Sequence, residues 1–227
     1  MDEKTMSPEE RGLYYGNRLA KMIQCPTISK KDSFDSQAFL QLRQVIRELF
    51  PRVSQAAQLT ILGDDAYLYK FPGKDESRNV MVMSHHDVVD AAGQWQDEPF
   101  AGVIREGKLW GRGTVDTKTP LFAQFSAIEE LLEAGFSFPV NLYLFSSHNE
   151  EIGGDGAVLA HAYFQERGIR FNWISDEGGA VIDPPWPGST ASAPCWQSTK
   201  RADAPPSCWC GLPRGTPALP EGKRPRL

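Results

Sequence analysis

Histidine is scarce in this chain of 227 residues: there are four, and none follows His161. Cysteine is equally scarce, and three of the four, Cys195, Cys208 and Cys210, lie beyond Pro184. A thiolate-ligated metal centre is therefore excluded from most of the chain, and a Cys-x-Cys with one distant cysteine and no nearby histidine is a weak zinc signal. No apolar run is long enough to span a bilayer, and Met1-Asp2-Glu3-Lys4 lacks the basic start and apolar core of a signal peptide, so no membrane and a cytoplasmic location are expected. No glycine-rich phosphate loop follows the first strand-like run, and Gly111-Arg112-Gly113 is too short to serve as one, which disfavours a nucleotide-binding domain. The net charge of −5 hides an asymmetry: six Lys+Arg and two Asp+Glu fall from Pro184 onward, leaving 18 basic and 27 acidic residues before it. So acidic a body disfavours nucleic acid as a partner, and none is expected.

What is present is an ordinary globular composition, 41% hydrophobic and 23% charged, with length enough for one sizeable domain. Ser7-Pro8-Glu9-Glu10 combines an N-cap, a first-turn proline and a capping-box glutamate, and predicts a helix to about Ile23. Apolar spacing predicts a second helix from near Ser36 to Leu49. Strand-like runs follow at Leu59–Leu62, Tyr67–Phe71 and Val80–Met83, with a turn at Gly63-Asp64-Asp65 and a hairpin over Val103–Trp110. A helix from Thr119-Pro120 to Gly135, a strand at Asn141–Phe145, a helix around Asp155–Arg167 and a strand at Phe171–Ile174 complete the series. Alternating strands and helices predict an α/β fold, a largely parallel sheet covered by helices, over residues 1–183.

From Pro184 the pattern stops. Ten of the 17 prolines lie in 184–227, without apolar period of either kind. Such a segment cannot bury enough surface to offset the roughly 1 to 2 kcal/mol per residue needed to order its backbone, so a disordered tail is expected.

The chemistry sits in short acidic segments just past the strand-like runs, where an open α/β sheet collects its ligands. They are Ser84-His85-His86-Asp87, Gly111-Arg112-Gly113-Thr114-Val115-Asp116, Ser147-His148-Asn149-Glu150-Glu151-Ile152-Gly153-Gly154 and Asp176-Glu177-Gly178-Gly179. Imidazole and carboxylates without a thiolate suit zinc or a similar divalent ion that keeps a position open for water. In His85-x-Asp87 the carboxylate can reach the far ring nitrogen of a ligating imidazole and fix its tautomer. Adjacent Glu150 and Glu151 point different ways on extended or loop backbone, so one can ligate while the other acts as general base. Alone, such a pair is a solvated charge run. Here it ends an apolar strand and precedes two glycines.

The order His-x-Asp, Gly-Arg-Gly-x-x-Asp, Glu-Glu-x-Gly-Gly, Asp-Glu-Gly resembles the co-catalytic zinc peptidases that include aminoacylase, carboxypeptidase S, glutamate carboxypeptidase and succinyl-diaminopimelate desuccinylase. Trp95, Pro99-Phe100 and Lys108-Leu109-Trp110-Gly111 are similar to that family's stretch before its bridging aspartate. Ile174-Ser175-Asp176-Glu177-Gly178-Gly179 is most similar to carboxypeptidase S and the N-acyl-amino-acid hydrolases. The resemblance implies two zinc ions: His85 on one, Asp116 bridging, Glu151 on the other and Glu177 completing the first, with Asp176 as its substitute if the loop register differs by one. Glu150 would be the general base and Asp87 the orienting aspartate. His86 is expected as pocket wall or outer support, and His161 as a half-exposed helix residue.

The substrate implied is a dipeptide or N-acyl amino acid with a free carboxylate, and a homo-oligomer is left open. In the family a smaller lid domain follows, and then a late histidine for the second zinc. Neither has a counterpart here; the abrupt change at Pro184 reads as translation in another frame or as a divergent tail. The resemblance therefore implies one complete zinc site and impaired turnover, with an inactive metal-binding or interaction fragment as the alternative.

Overall fold

Ser7 opens the first helix as the spacing predicts. In the computed structural model its hydroxyl accepts from the Glu10 N–H at 3.2 Å while the Glu10 carboxylate accepts from the Ser7 N–H at 2.8 Å, closing a capping box on α1 (Pro8–Ile23). The structure describes residues 6–177 and the backbone of three short strands beyond them. Asp35 caps α2 (Ser36–Leu49) by accepting from the N–H groups of Gln37 and Ala38. A short helix that the spacing does not predict follows, α3 (Pro51–Ala56). Glu129 explains it: its carboxylate, from a distant helix, accepts from the N–H groups of Arg52 at 3.1 Å and Val53 at 2.9 Å.

The strands β1 (Gln58–Leu62), β2 (Ala66–Phe71), β3 (Asp75–His85), β6 (Val140–Ser147) and β7 (Trp173–Ser175) form one sheet in the order β1-β2-β6-β3-β7. Between β3 and β6 lie the hairpin β4 (Val103–Arg105) and β5 (Lys108–Trp110), then α4 (Lys118–Glu133); α5 (Gly156–Glu166) follows β6. The α/β class holds, but the sheet is mixed. β3 and β6 run parallel, whereas β1/β2 and β2/β6 are antiparallel. The physical reason is the connection: β1 and β2 are joined by the tight turn at Gly63-Asp64-Asp65, which can only reverse the chain.

Strand alternation divides the apolar residues between two faces. Tyr67, Tyr69, Phe71 and Leu144 pack with α1, α2 and α4 through Ile23, Leu42, Ile46, Phe122 and Phe125. Ala66, Leu68, Tyr143 and Phe145 pack on the other face with Ala160 and Phe164 of α5. The chain divides into two compact units, 1–174 and 175–227. The second contains β8 (Val181–Ile182), β9 (Ala193–Ser198) and β10 (Ser207–Cys210), in antiparallel order β10-β9-β8. The disorder expected for the rest of the tail falls outside the described residues.

Candidate metal centre

His85 is the last residue of β3, and its partner across the parallel pairing is Ser147, the last residue of β6. Both strands therefore end at one edge, and the loops leaving them carry the candidate residues, as the sequence predicts. The loop after β3 is held by the segment following α1. The Thr27 hydroxyl donates to the His86 oxygen at 2.5 Å, Val88 N–H to the Thr27 oxygen at 2.9 Å and Ser29 N–H to the Val88 oxygen at 3.1 Å.

The His85 ring is buried and has a partner at each nitrogen. Nδ1 lies 3.0 Å from the Asp87 backbone oxygen and 3.3 Å from Asp87 Oδ1; Nε2 lies 3.0 Å from Asp116 Oδ1 and 3.7 Å from Glu150 Oε2. Acceptors flank both nitrogens; a cation at Nε2 would leave the ring proton on Nδ1, where the two Asp87 oxygens accept it.

Asp87 does more than orient the ring. It is fully buried, and its two oxygens accept from the N–H groups of Glu150 and Glu151, each at 3.1 Å. Burial opposes its charge, but the neighbouring His85 and Ser29 side chains and the Glu151 N–H outweigh it and hold the carboxyl below its usual range. One carboxylate thus fixes the imidazole and the acidic pair together.

Glu150 and Glu151 occupy a single 3-10 turn, Glu150–Ile152, rather than extended chain. Gly153 closes it at φ +62, a conformation that favours glycine. Gly154 is required for space: a Cβ there would lie 2.2 Å from Asn149 Cγ. The Asn149 side chain cannot withdraw cheaply, because its amide donates to Asp155 at 2.9 Å and its oxygen accepts from the Gly156 N–H at 3.0 Å.

The His85 and Asp116 donor atoms, 3.0 Å apart, could share a metal ion. Nitrogen and oxygen ligands at about 2.0 to 2.2 Å from tetrahedral zinc stand about 3.3 Å apart, so the His85 to Asp116 separation is already close to that of two ligands. The crowding of carboxylates fits a cation as well. Burial first, then the charges of Asp116, Asp87 and Glu150, raise the Glu151 carboxyl above its ordinary value. Asp176, the substitute for Glu177, is exposed and accepts from the Glu177 N–H at 2.8 Å.

The remaining histidines stand apart. His86 is wholly buried in the core: it stacks on Tyr67 with ring centroids 4.1 Å apart, bonds Ser146 Oγ through Nδ1 at 2.8 Å, and burial lowers its pKa well below the usual value. His148 is buried edge-on to Phe34 and Phe39, and His161 is exposed on α5. The sequence motifs pass over Lys118, a fully buried lysine two residues past Asp116. A cavity of about 320 Å³ lined by Phe71, Phe136 and Phe138 is at the far end of the sheet from His85 and takes no part in the site.

The same segments carry a family match. The model of peptidase family M20/M25/M40 aligns with residues 81–194, half of the chain. The chain belongs to that family. It is 35% identical over 177 residues to a probable carboxypeptidase S-like 2 of Dictyostelium discoideum, covering 74% of this chain and 34% of that protein. It is 32% identical over 182 residues to an N-fatty-acyl-amino acid synthase/hydrolase of Homo sapiens, covering 78% and 36%. The fold is similar to that of an M20 family metallo-carboxypeptidase from Sulfolobus solfataricus, with a TM-score of 0.59 at 23% identity over 78% of this chain and 38% of that one. This M20/M25/M40 chain thus spans about a third of the length of the curated relatives it matches.

Proposed function

We propose that the chain is part of the catalytic domain of a zinc-dependent amide hydrolase acting on dipeptides or N-acyl amino acids. The observation that carries this is the His85 ring held by Asp87 on one side with Nε2 set against Asp116 and Glu150 on the other. His85, Asp116 and Glu177 would hold one zinc; Asp116 and Glu151 would contribute to a second. Zinc bound there would polarise the scissile carbonyl and make water a better nucleophile near neutral pH.

The other steps belong to the chain. Glu150, half-exposed and fixed through its backbone to Asp87, takes the proton of the attacking water and returns it to the leaving amine nitrogen. Asp87 keeps the His85 proton on Nδ1. Relatives named for carboxypeptidase and N-acyl-amino acid activities support this substrate class. Among the described residues no helix is long and apolar enough to cross a membrane; a cytoplasmic enzyme with no nucleic-acid partner remains the reading.

The absence of a histidine after His161 favours a second reading for the 227-residue chain by itself, a zinc-binding fragment of low turnover. Hydrolysis assays on N-acyl amino acids and dipeptides, with Glu150→Gln as control, decide between them. Turnover abolished by Glu150→Gln supports the hydrolase; zinc binding without turnover supports the fragment.

A further inference from the structure

Lys118 is a buried cation that the proposed chemistry does not use. Its ammonium donates to the backbone oxygens of Met22 at 3.2 Å and Cys25 at 2.6 Å. The Met22 oxygen belongs to the last turn of α1 and the Cys25 oxygen to the position after its C-cap, where positive charge complements the helix dipole. The same residue opens α4, and its N–H donates to the Gly113 oxygen at 2.9 Å. A lysine in a first turn faces the unfavourable end of that helix's own dipole, so α4 forgoes a local preference to place it there.

The loop bearing Asp116 is thereby gripped at both ends. A Cβ on Gly111 would fall 2.6 Å from Ile23 Cγ2, and one on Gly113 would fall 2.9 Å from Val88 Cγ1 and 3.4 Å from Lys118 Cδ. Val88 is itself bonded to Thr27 and Ser29. The short stretch from Ile23 to Ser29 therefore touches the loop of His85 and the loop of Asp116.

We propose that Lys118 is a positioning residue: by pinning the start of α4 to the end of α1, it holds the Asp116 carboxylate beside His85 before any metal arrives. This rests on the metal-site reading above and extends it to a side chain outside the ligand set. An ammonium suits the position because it is compact and carries three donors on a flexible stem. Methionine keeps the length of the stem and has no donor.

The test measures zinc affinity of the 227-residue chain by competition with a chromophoric chelator, alongside urea unfolding, for wild type, Lys118→Met and Phe164→Ala. Phe164 lies in the core on the α5 face of the sheet, packed edge-on to Tyr143 and Phe171. The zinc Kd of Lys118→Met is expected to weaken about 10- to 100-fold, the scale of a lost outer support, while Phe164→Ala stays within about twofold despite its lower stability. An unchanged Kd in Lys118→Met overturns the proposal, as does an equal weakening in both variants. If Lys118→Met does not fold, hydrogen exchange on zinc-free wild type decides. Protection of the Lys118 N–H equal to that within α4 is the expected result, and protection only after zinc is added overturns it. A wild type that binds no zinc at all brings down the metal-site reading itself, and this inference with it.

Discussion

Replacing Asp87 by alanine removes three interactions at once. The Glu150 and Glu151 N–H groups lose their acceptors, both at 3.1 Å, and the His85 Nδ1 loses a carboxylate at 3.3 Å. A buried donor left without a partner costs about 1 to 3 kcal/mol. Both N–H groups sit on a turn whose side chains are partly exposed, so water can reach them and about 1 kcal/mol each is the appropriate end of that range. Loss of the His85 contact adds about 1 kcal/mol, and the sum is about 3 kcal/mol of unfolding free energy. Against this, Asp87 no longer bears the cost of burying its charge, which brings the expected loss to about 2 kcal/mol. Zinc affinity should fall about 10- to 100-fold, because the Glu150–Ile152 turn loses its anchor and His85 keeps only the residue-87 backbone oxygen, at 3.0 Å, to orient its ring. Urea unfolding with and without zinc measures the first quantity and chelator competition the second. Zinc affinity within about twofold of wild type would refute the argument that Asp87 organises the site.

Four further outcomes are expected. Phe50→Ala should cost about 3 to 5 kcal/mol in urea unfolding, since its ring is fully buried and stacks on Phe125 with centroids 5.2 Å apart. Gly73→Ala should be strongly destabilising in thermal unfolding, because its Cβ would fall 2.0 Å from the backbone carbon of Val140, which cannot withdraw. Ser7→Ala should cost about 1 kcal/mol through loss of the cap, read from a lowered thermal midpoint. Burial raises the Asp65 carboxyl above its ordinary value against its partners Tyr67 and Arg43, so the folded chain holds that proton more tightly than the unfolded one. The associated stability is complete below the ordinary carboxylate value and is lost as pH rises through the raised one; the stability of Asp65→Asn relative to wild type should therefore increase with pH across that window, and a constant difference refutes this.

Local signals made much of the fold legible. The capping box at Ser7 to Glu10 and the apolar spacing of Phe39 and Ile46 predict α1 and α2 at the bounds observed. What could not be read depends on contacts far apart in sequence. α3 exists because Glu129 caps it from 76 residues away, and no local pattern signals that. The turn at Gly63 signals the antiparallel β1/β2 pair, but the antiparallel placement of β2 beside β6 is a pairing that strand composition does not choose.

The site divides the same way. Asp87 beside His85 is an i to i+2 relation and could be read from the sequence. The hold of Asp87 on Glu150, 63 residues on, could not. His86 shows the limit of alternation: it turns away from the ligand, as expected, but into the core against Tyr67 rather than onto a pocket wall. Lys118 left one overlooked signal, a cation at the wrong end of its helix.

The most direct test of the metal centre is a zinc titration of the 227-residue chain by calorimetry, with His85→Ala beside it. One equivalent is expected to bind tightly to wild type and to be lost in the variant. Equal binding by both, or none by wild type, would contradict the metal-site reading.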